Sequence, residues 1–195
     1  MSPEACASVI FALAKKARKR KSFPLPQYLA QCMIFLNDPH LAADIMVTCE
    51  RNRGAIQFPY YTVMGYAYYQ LGDRGMVKFQ LDECEKAGAG TNNQAVALLR
   101  EQCLTGIKNK LDLMDKKFDS CKQYFRAILE ATPFECQRVD AHYYLGLIAF
   151  VDRDLDDAKY HFNYVEGHGN TMYFKEKAKS FLATIAKHEE TVEEV

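Results

Sequence analysis

The residues able to do chemistry are few and scattered. Five histidines, His40, His142, His161, His168 and His188, fall in different predicted helices, and seven cysteines, Cys6, Cys32, Cys49, Cys84, Cys103, Cys121 and Cys136, include no CxxC pair. Only five serines occur, and no GxSxG elbow, HExxH helix or Walker-type loop is present, so the usual nucleophile and metal scaffolds lack parts. Gly88-Ala89-Gly90-Thr91 precedes a helix, but no strand leads into it, and it reads as a helix stop followed by a start. His142 and His161 are spaced to approach within one hairpin, yet two lone imidazoles are more readily packed or solvated than metal-bound. No catalytic residue, metal ligand or cofactor is therefore assigned. An odd number of cysteines among apolar residues, with no secretory signal read ahead of them, predicts reduced thiols packed as small hydrophobes. The expected compartment is intracellular and reducing, mitochondrial or cytoplasmic.

Charge placement says more. The chain balances 25 Lys and Arg against 25 Asp and Glu, but residues 15–21 read KKARKRK and residues 189–195 read EETVEEV. Setting aside the six cations Lys15, Lys16, Arg18, Lys19, Arg20 and Lys21 and the four tail glutamates leaves 19 basic and 21 acidic residues, a nearly neutral body. Such a body disfavours a globally basic nucleic-acid binder and concentrates electrostatic recognition at the N-terminal end. Six cations in seven positions repel one another and favour a neutralising partner, such as an acidic protein surface or a polyphosphate or membrane headgroup; the run also reads as a targeting segment or as a solvated helix end. No apolar run approaches the roughly 18 residues of a membrane span, so a soluble chain without a transmembrane segment is expected. No small-molecule substrate is evident.

The elements that must position these residues are helices. Across 195 residues, 49% of them hydrophobic, apolar side chains recur at three- and four-residue spacing, strict alternation is absent, and Gly, Pro or Asn-Asp breaks interrupt the pattern. The spacing predicts an all-α chain with helices near 3–20, 25–36, 40–52, 60–71, 74–87, 93–114, 118–131, 137–151, 155–166 and 171–188. Asp38-Pro39 and Phe58-Pro59 read as helix starts, and Gly54, Gly88 and Gly167 as stops in the left-handed conformation. Three segments follow: a basic amphipathic helix over 1–22, a helical domain over 23–188 and an acidic, frayed tail over 189–195.

Short helices joined by tight turns must pack as neighbours, and the hairpins recur. FPYYTVMGYAYYQLGDRGMVKFQLDECEKAGAGT, residues 58–91, resembles a tetratricopeptide repeat: Tyr61, Met64, Gly65 and Tyr68 match its first helix, Leu71-Gly72 its turn and Leu81 its second helix, with Val77 in place of the usual Ala. Residues 139–170 resemble it more closely through Leu145, Gly146, Ala158 and Phe162. Small second-helix positions at Ala43, Val77, Cys121 and Ala158 are spaced 34, 44 and 37 residues apart, and the excess in the second interval predicts that Arg100 to Lys110 project from the stack. The same phrases also resemble pentatricopeptide repeats. The fold class these resemblances imply is an α-α superhelix of tetratricopeptide- or pentatricopeptide-like hairpins with a C-terminal capping helix, carrying Phe174, Ala178, Phe181, Leu182 and Ile185 on its apolar face.

Such families imply function through surfaces. A tetratricopeptide-like stack implies a concave groove for a protein partner, lined by Tyr61, Tyr68 and His142, with the basic run as a second contact. A pentatricopeptide-like stack implies RNA, but its base-reading position falls at Tyr61 and His142, which do not fit the usual code. In length, helix number and non-coding repeats the chain is also similar to the pentatricopeptide-like accessory subunits on the catalytic head of euglenozoan mitochondrial ATP synthases. The resemblance thus implies a non-catalytic adaptor or structural subunit whose partners are the protein subunits of a larger assembly, with RNA as the disfavoured alternative.

Overall fold

Where apolar residues return every three or four positions, only a helix keeps them on one face. The computed structural model describes residues 38–49, 58–87, 90, 92–133, 135–169 and 172–193. Among these described residues are eight α-helices and no strand: α1 (Pro39–Cys49), α2 (Phe58–Gln70), α3 (Arg74–Lys86), α4 (Gln94–Met114), α5 (Phe118–Ala131), α6 (Glu135–Val151), α7 (Leu155–His168) and α8 (Met172–Glu193). Each coincides with an expected helix to within five residues at every boundary. The helices expected over 3–20 and 25–36, and the stops at Gly54 and Gly88, lie outside the described residues.

The chain divides into two compact units, residues 1–117 and 118–195. In the first, α2 and α3 form a hairpin, α4 packs on both, and α1 packs on α2. Ala42, Ile45, Met46, Phe58, Val63, Ala67, Val77, Cys84 and Ile107 form its buried centre. In the second, α6 and α7 form the hairpin, α5 packs on α6, and α8 packs on α7. Here rings do much of the filling: Phe125 stacks on Tyr144 at 5.0 Å between centroids, and Phe162 on Phe181 at 4.9 Å. A hairpin alone leaves one apolar side in water, and each neighbouring helix removes it from solvent, at about 1.5–3 kcal/mol per fully buried large side chain.

One turn is used three times. After α2, the Gly72 N–H bonds the Tyr69 carbonyl and the Asp73 N–H reaches back to Tyr68, with Gly72 at φ 75°. After α4, Lys116 bonds Leu113 and Lys117 bonds Asp112, with Lys116 at φ 58°; after α6, Arg153 bonds Phe150 and Asp154 bonds Ala149, with Arg153 at φ 63°. This paired 5→2 and 6→1 bonding satisfies carbonyls that the helix end would leave open, and it requires a left-handed residue. Asp73 and Asp154 then cap the next helix, their side chains accepting from Met76 and Asp157 N–H at 3.0 and 3.2 Å. In each case a buried small residue, Val77, Cys121 or Ala158, stands five positions after the left-handed one.

Two glycines sit where helices come close. A Cβ on Gly146 would lie 2.9 Å from Phe162 Cε1 and 3.2 Å from His161 Cβ, so α6 approaches α7 only because that position is bare. At Gly65 the nearest atom is Ile107 Cγ2 of α4, 3.2 Å away.

Four local expectations are corrected. Arg100 to Lys110 do not project: Cys103, Gly106, Ile107, Asn109 and Lys110 are buried, and Arg100 donates to the Ala87 carbonyl at 3.0 Å, closing the end of α3. The inward small residue of α1 is Ala42, whereas Ala43 is half-buried. Gly167 sits inside α7, which stops at Gly169, where the N–H bonds Val165 O at 2.8 Å with φ −69° rather than a left-handed turn. The helical segment also runs past residue 188 to Glu193, and Lys159 Nζ holds Glu189 at 2.6 Å, so the start of the tail expected to fray is tied to α7.

Candidate functional site

The six basic residues Lys15, Lys16, Arg18, Lys19, Arg20 and Lys21 lie outside the described residues. The other three expected contact residues are placed. Tyr61 is 6% exposed and His142 is 3% exposed, so neither lines an open groove; Tyr68 is half-buried against the core of the first unit. The cause is visible in α2, where Phe58, Tyr60, Tyr61, Val63, Met64 and Ala67 are buried around most of the circumference. A helix packed by three neighbours has little free face left for a ligand. Little of Tyr61 or His142 remains to stack on a base.

What the fold does bring together is a histidine and tyrosine cluster in the second unit. His142, one turn after Arg138 on α6, and His161, one turn after Asp157 on α7, face each other with Nδ1 to Nδ1 at 2.8 Å. The His142 ring stacks on Tyr164 at 3.8 Å between centroids, and Tyr164 stacks in turn on His168 at 4.1 Å. Tyr164 donates its hydroxyl hydrogen to Glu135 Oε1 at 2.9 Å and accepts from Arg138 Nε at 3.2 Å. Tyr160, 63% exposed, meets the edge of His142 at 5.9 Å.

The electrostatics follow from that setting. Burial, with the neighbouring His161 and Arg138 charges, pushes the His142 imidazole down to about 4. Burial also lowers His161, opposed by the Asp157 carboxylate, whose Oδ1 is 3.6 Å from Nε2. Both rings are thus held neutral near pH 7. Sequence reasoning foresaw that the two histidines could meet but not the Tyr164, His168 and Arg138 shell, although 157, 161, 164 and 168 share one face of α7 at three- and four-residue spacing.

The first unit holds a second polar feature in its interior. Lys110 is 4% exposed, with Nζ 5.0 Å from the Tyr66 ring centroid and 5.3 Å from that of Tyr69. Nearby on the surface, Arg74 grips Asp115 through Nε at 2.5 Å and a second nitrogen at 2.9 Å, and this hydrogen bonding holds the Asp115 carboxyl below the usual carboxylate range.

Among the described residues no group of three or more His, Cys, Asp or Glu is placed to hold a metal ion. Cys84, Cys103 and Cys121 are buried thiols outside any disulfide, and burial pushes the Cys84 thiol up to about 12, the opposite of an activated nucleophile. No described helix is long and apolar enough to cross a membrane. Comparison with known proteins adds no relative: no family model, curated protein or solved structure matches the chain.

Proposed function

We propose that this chain is a non-catalytic helical-repeat adaptor or structural subunit that mediates protein–protein contact within a larger assembly. The observation that supports it is the threefold recurrence of one turn, at Gly72, Lys116 and Arg153, each five residues ahead of a buried small residue. Recurrence of a loop and of the packing position it sets is what duplication of a two-helix unit leaves behind, and stacked two-helix units serve mainly as scaffolds that hold other macromolecules. The tetratricopeptide- or pentatricopeptide-like superhelix, with α8 as its cap, belongs to this reading.

The contact we assign to the partner is the cationic run over residues 15–21, which an acidic protein surface would neutralise. A mitochondrial complex such as ATP synthase is the assembly nominated by the sequence resemblance. Native purification of the tagged chain followed by mass spectrometry tests the reading: a defined set of stoichiometric partners supports it, and a free monomer with none refutes it.

A further inference from the structure

The His142–His161 pair is joined ring to ring, with only one hydrogen available between two facing nitrogens. Asp157 Oδ1 lies 3.6 Å from His161 Nε2, so its negative charge favours placing the His161 hydrogen on Nε2 rather than Nδ1. His161 Nδ1 is then the acceptor and His142 Nδ1–H the donor across 2.8 Å, which leaves His142 Nε2 as the one bare ring nitrogen. A first added proton fits at that nitrogen: His142 becomes an imidazolium that still donates through Nδ1 to His161, and the charge can pass across the shared hydrogen toward Asp157. A second added proton does not fit. Both Nδ1 atoms would then carry hydrogens pointed at each other across a hydrogen-bond distance, and two donors repel.

The pair is confined on two sides. Tyr164 lies flat on His142 at 3.8 Å, and a Cβ at Gly146 would lie 3.2 Å from His161 Cβ, so the α6 backbone itself borders that side chain. The surrounding charges do not help. Arg126 on α5, Arg138 on α6 and His168 on α7 all disfavour a positive pair, and Glu135 is engaged by the Tyr164 hydroxyl. Tyr160 adds only a ring edge, and the Glu189 carboxylate of α8 is already bound to Lys159. Among the described residues, Asp157 alone faces the pair with negative charge.

We infer that the His142–His161 contact is an acid-sensitive latch of the α6–α7 hairpin, which holds one extra proton while closed and opens on taking the second. The closed form is the native hairpin at neutral pH. The open form separates α7 from α6 at the Gly146 crossing.

Imidazole NMR on the full chain, with amide protection followed in parallel, tests this. From about pH 8 to about pH 5 the pair should show a hydrogen shared between two Nδ1 atoms and take up no more than one proton. Below about pH 4 the α6 and α7 amides should lose protection together with uptake of the second proton. His161→Gln, whose amide can still meet His142 Nδ1, should lower the number of protons taken up on opening by about one. If that variant does not fold, the wild-type titration decides by itself. Full protonation of both rings by about pH 5 with hairpin amides still protected would overturn the inference, as would a His161→Gln variant with unchanged proton uptake.

Discussion

Replacing Gly146 by Ala sets two effects of opposite sign against each other. In an exposed helix interior, Gly to Ala gains about 1 kcal/mol from backbone entropy. At Gly146 the new methyl would lie 2.9 Å from Phe162 Cε1, 3.0 Å from Phe162 Cδ1 and 3.2 Å from His161 Cβ. Phe162 cannot swing aside, because it is fully buried and stacks on Phe181 with an interplanar angle of 4°. Overpacking a filled core costs about 1–3 kcal/mol, which exceeds the helical gain, so Gly146→Ala should destabilise by about 1 kcal/mol and Gly146→Leu by more. Gly65→Ala is the internal control. Its nearest neighbour is the branched end of Ile107 at 3.2 Å, which can shift by a few tenths of an ångström, so that substitution should be within about 0.5 kcal/mol of neutral. Urea unfolding followed by tyrosine circular dichroism compares the two. A Gly146→Ala protein more stable than wild type would refute the close crossing of α6 and α7.

Other outcomes follow from the turns and the buried imidazoles. Arg153→Gly should stabilise by about 1 kcal/mol in a melting experiment, because Arg153 adopts φ 63°, which an L side chain resists and glycine does not. Asp154→Ala should cost about 1 kcal/mol in the same assay by freeing the Asp157 N–H that the carboxylate now accepts from. With the His142 pKa depressed to about 4 in the folded chain, the unfolded chain binds more protons below its ordinary value. Stability present above about pH 6.5 is therefore lost as pH falls toward 4, by about 3 kcal/mol for this ring, and unfolding free energies measured across that range check the slope.

Helix placement was legible in part: Leu71-Gly72, read as a turn, is where α2 ends, and the observed helix over 118–131 matches the expected one at both ends. Depth was not legible. In α2 apolar and aromatic residues surround the axis, so no periodicity separates a groove-facing Tyr61 from a core-facing one. Lys110 defeats composition altogether, since its charge reads as solvent-facing while the Tyr66 and Tyr69 rings flank its ammonium in the interior. The recurrence of the turn at Lys116 and Arg153 was hidden for a similar reason: neither is glycine, and only the backbone angle reveals the shared geometry.

On the proposed function, the cationic run over residues 15–21 docks the chain onto a larger assembly. Size-exclusion chromatography of native extracts, comparing the wild type with a variant carrying Lys15, Lys16, Arg18 and Lys19 reversed to Glu, measures that directly. The wild-type chain should elute with a large complex, and the reversed chain, still helical by circular dichroism, should elute as a free monomer. A reversed chain that joins the complex normally, or a wild-type chain that elutes alone, would contradict it.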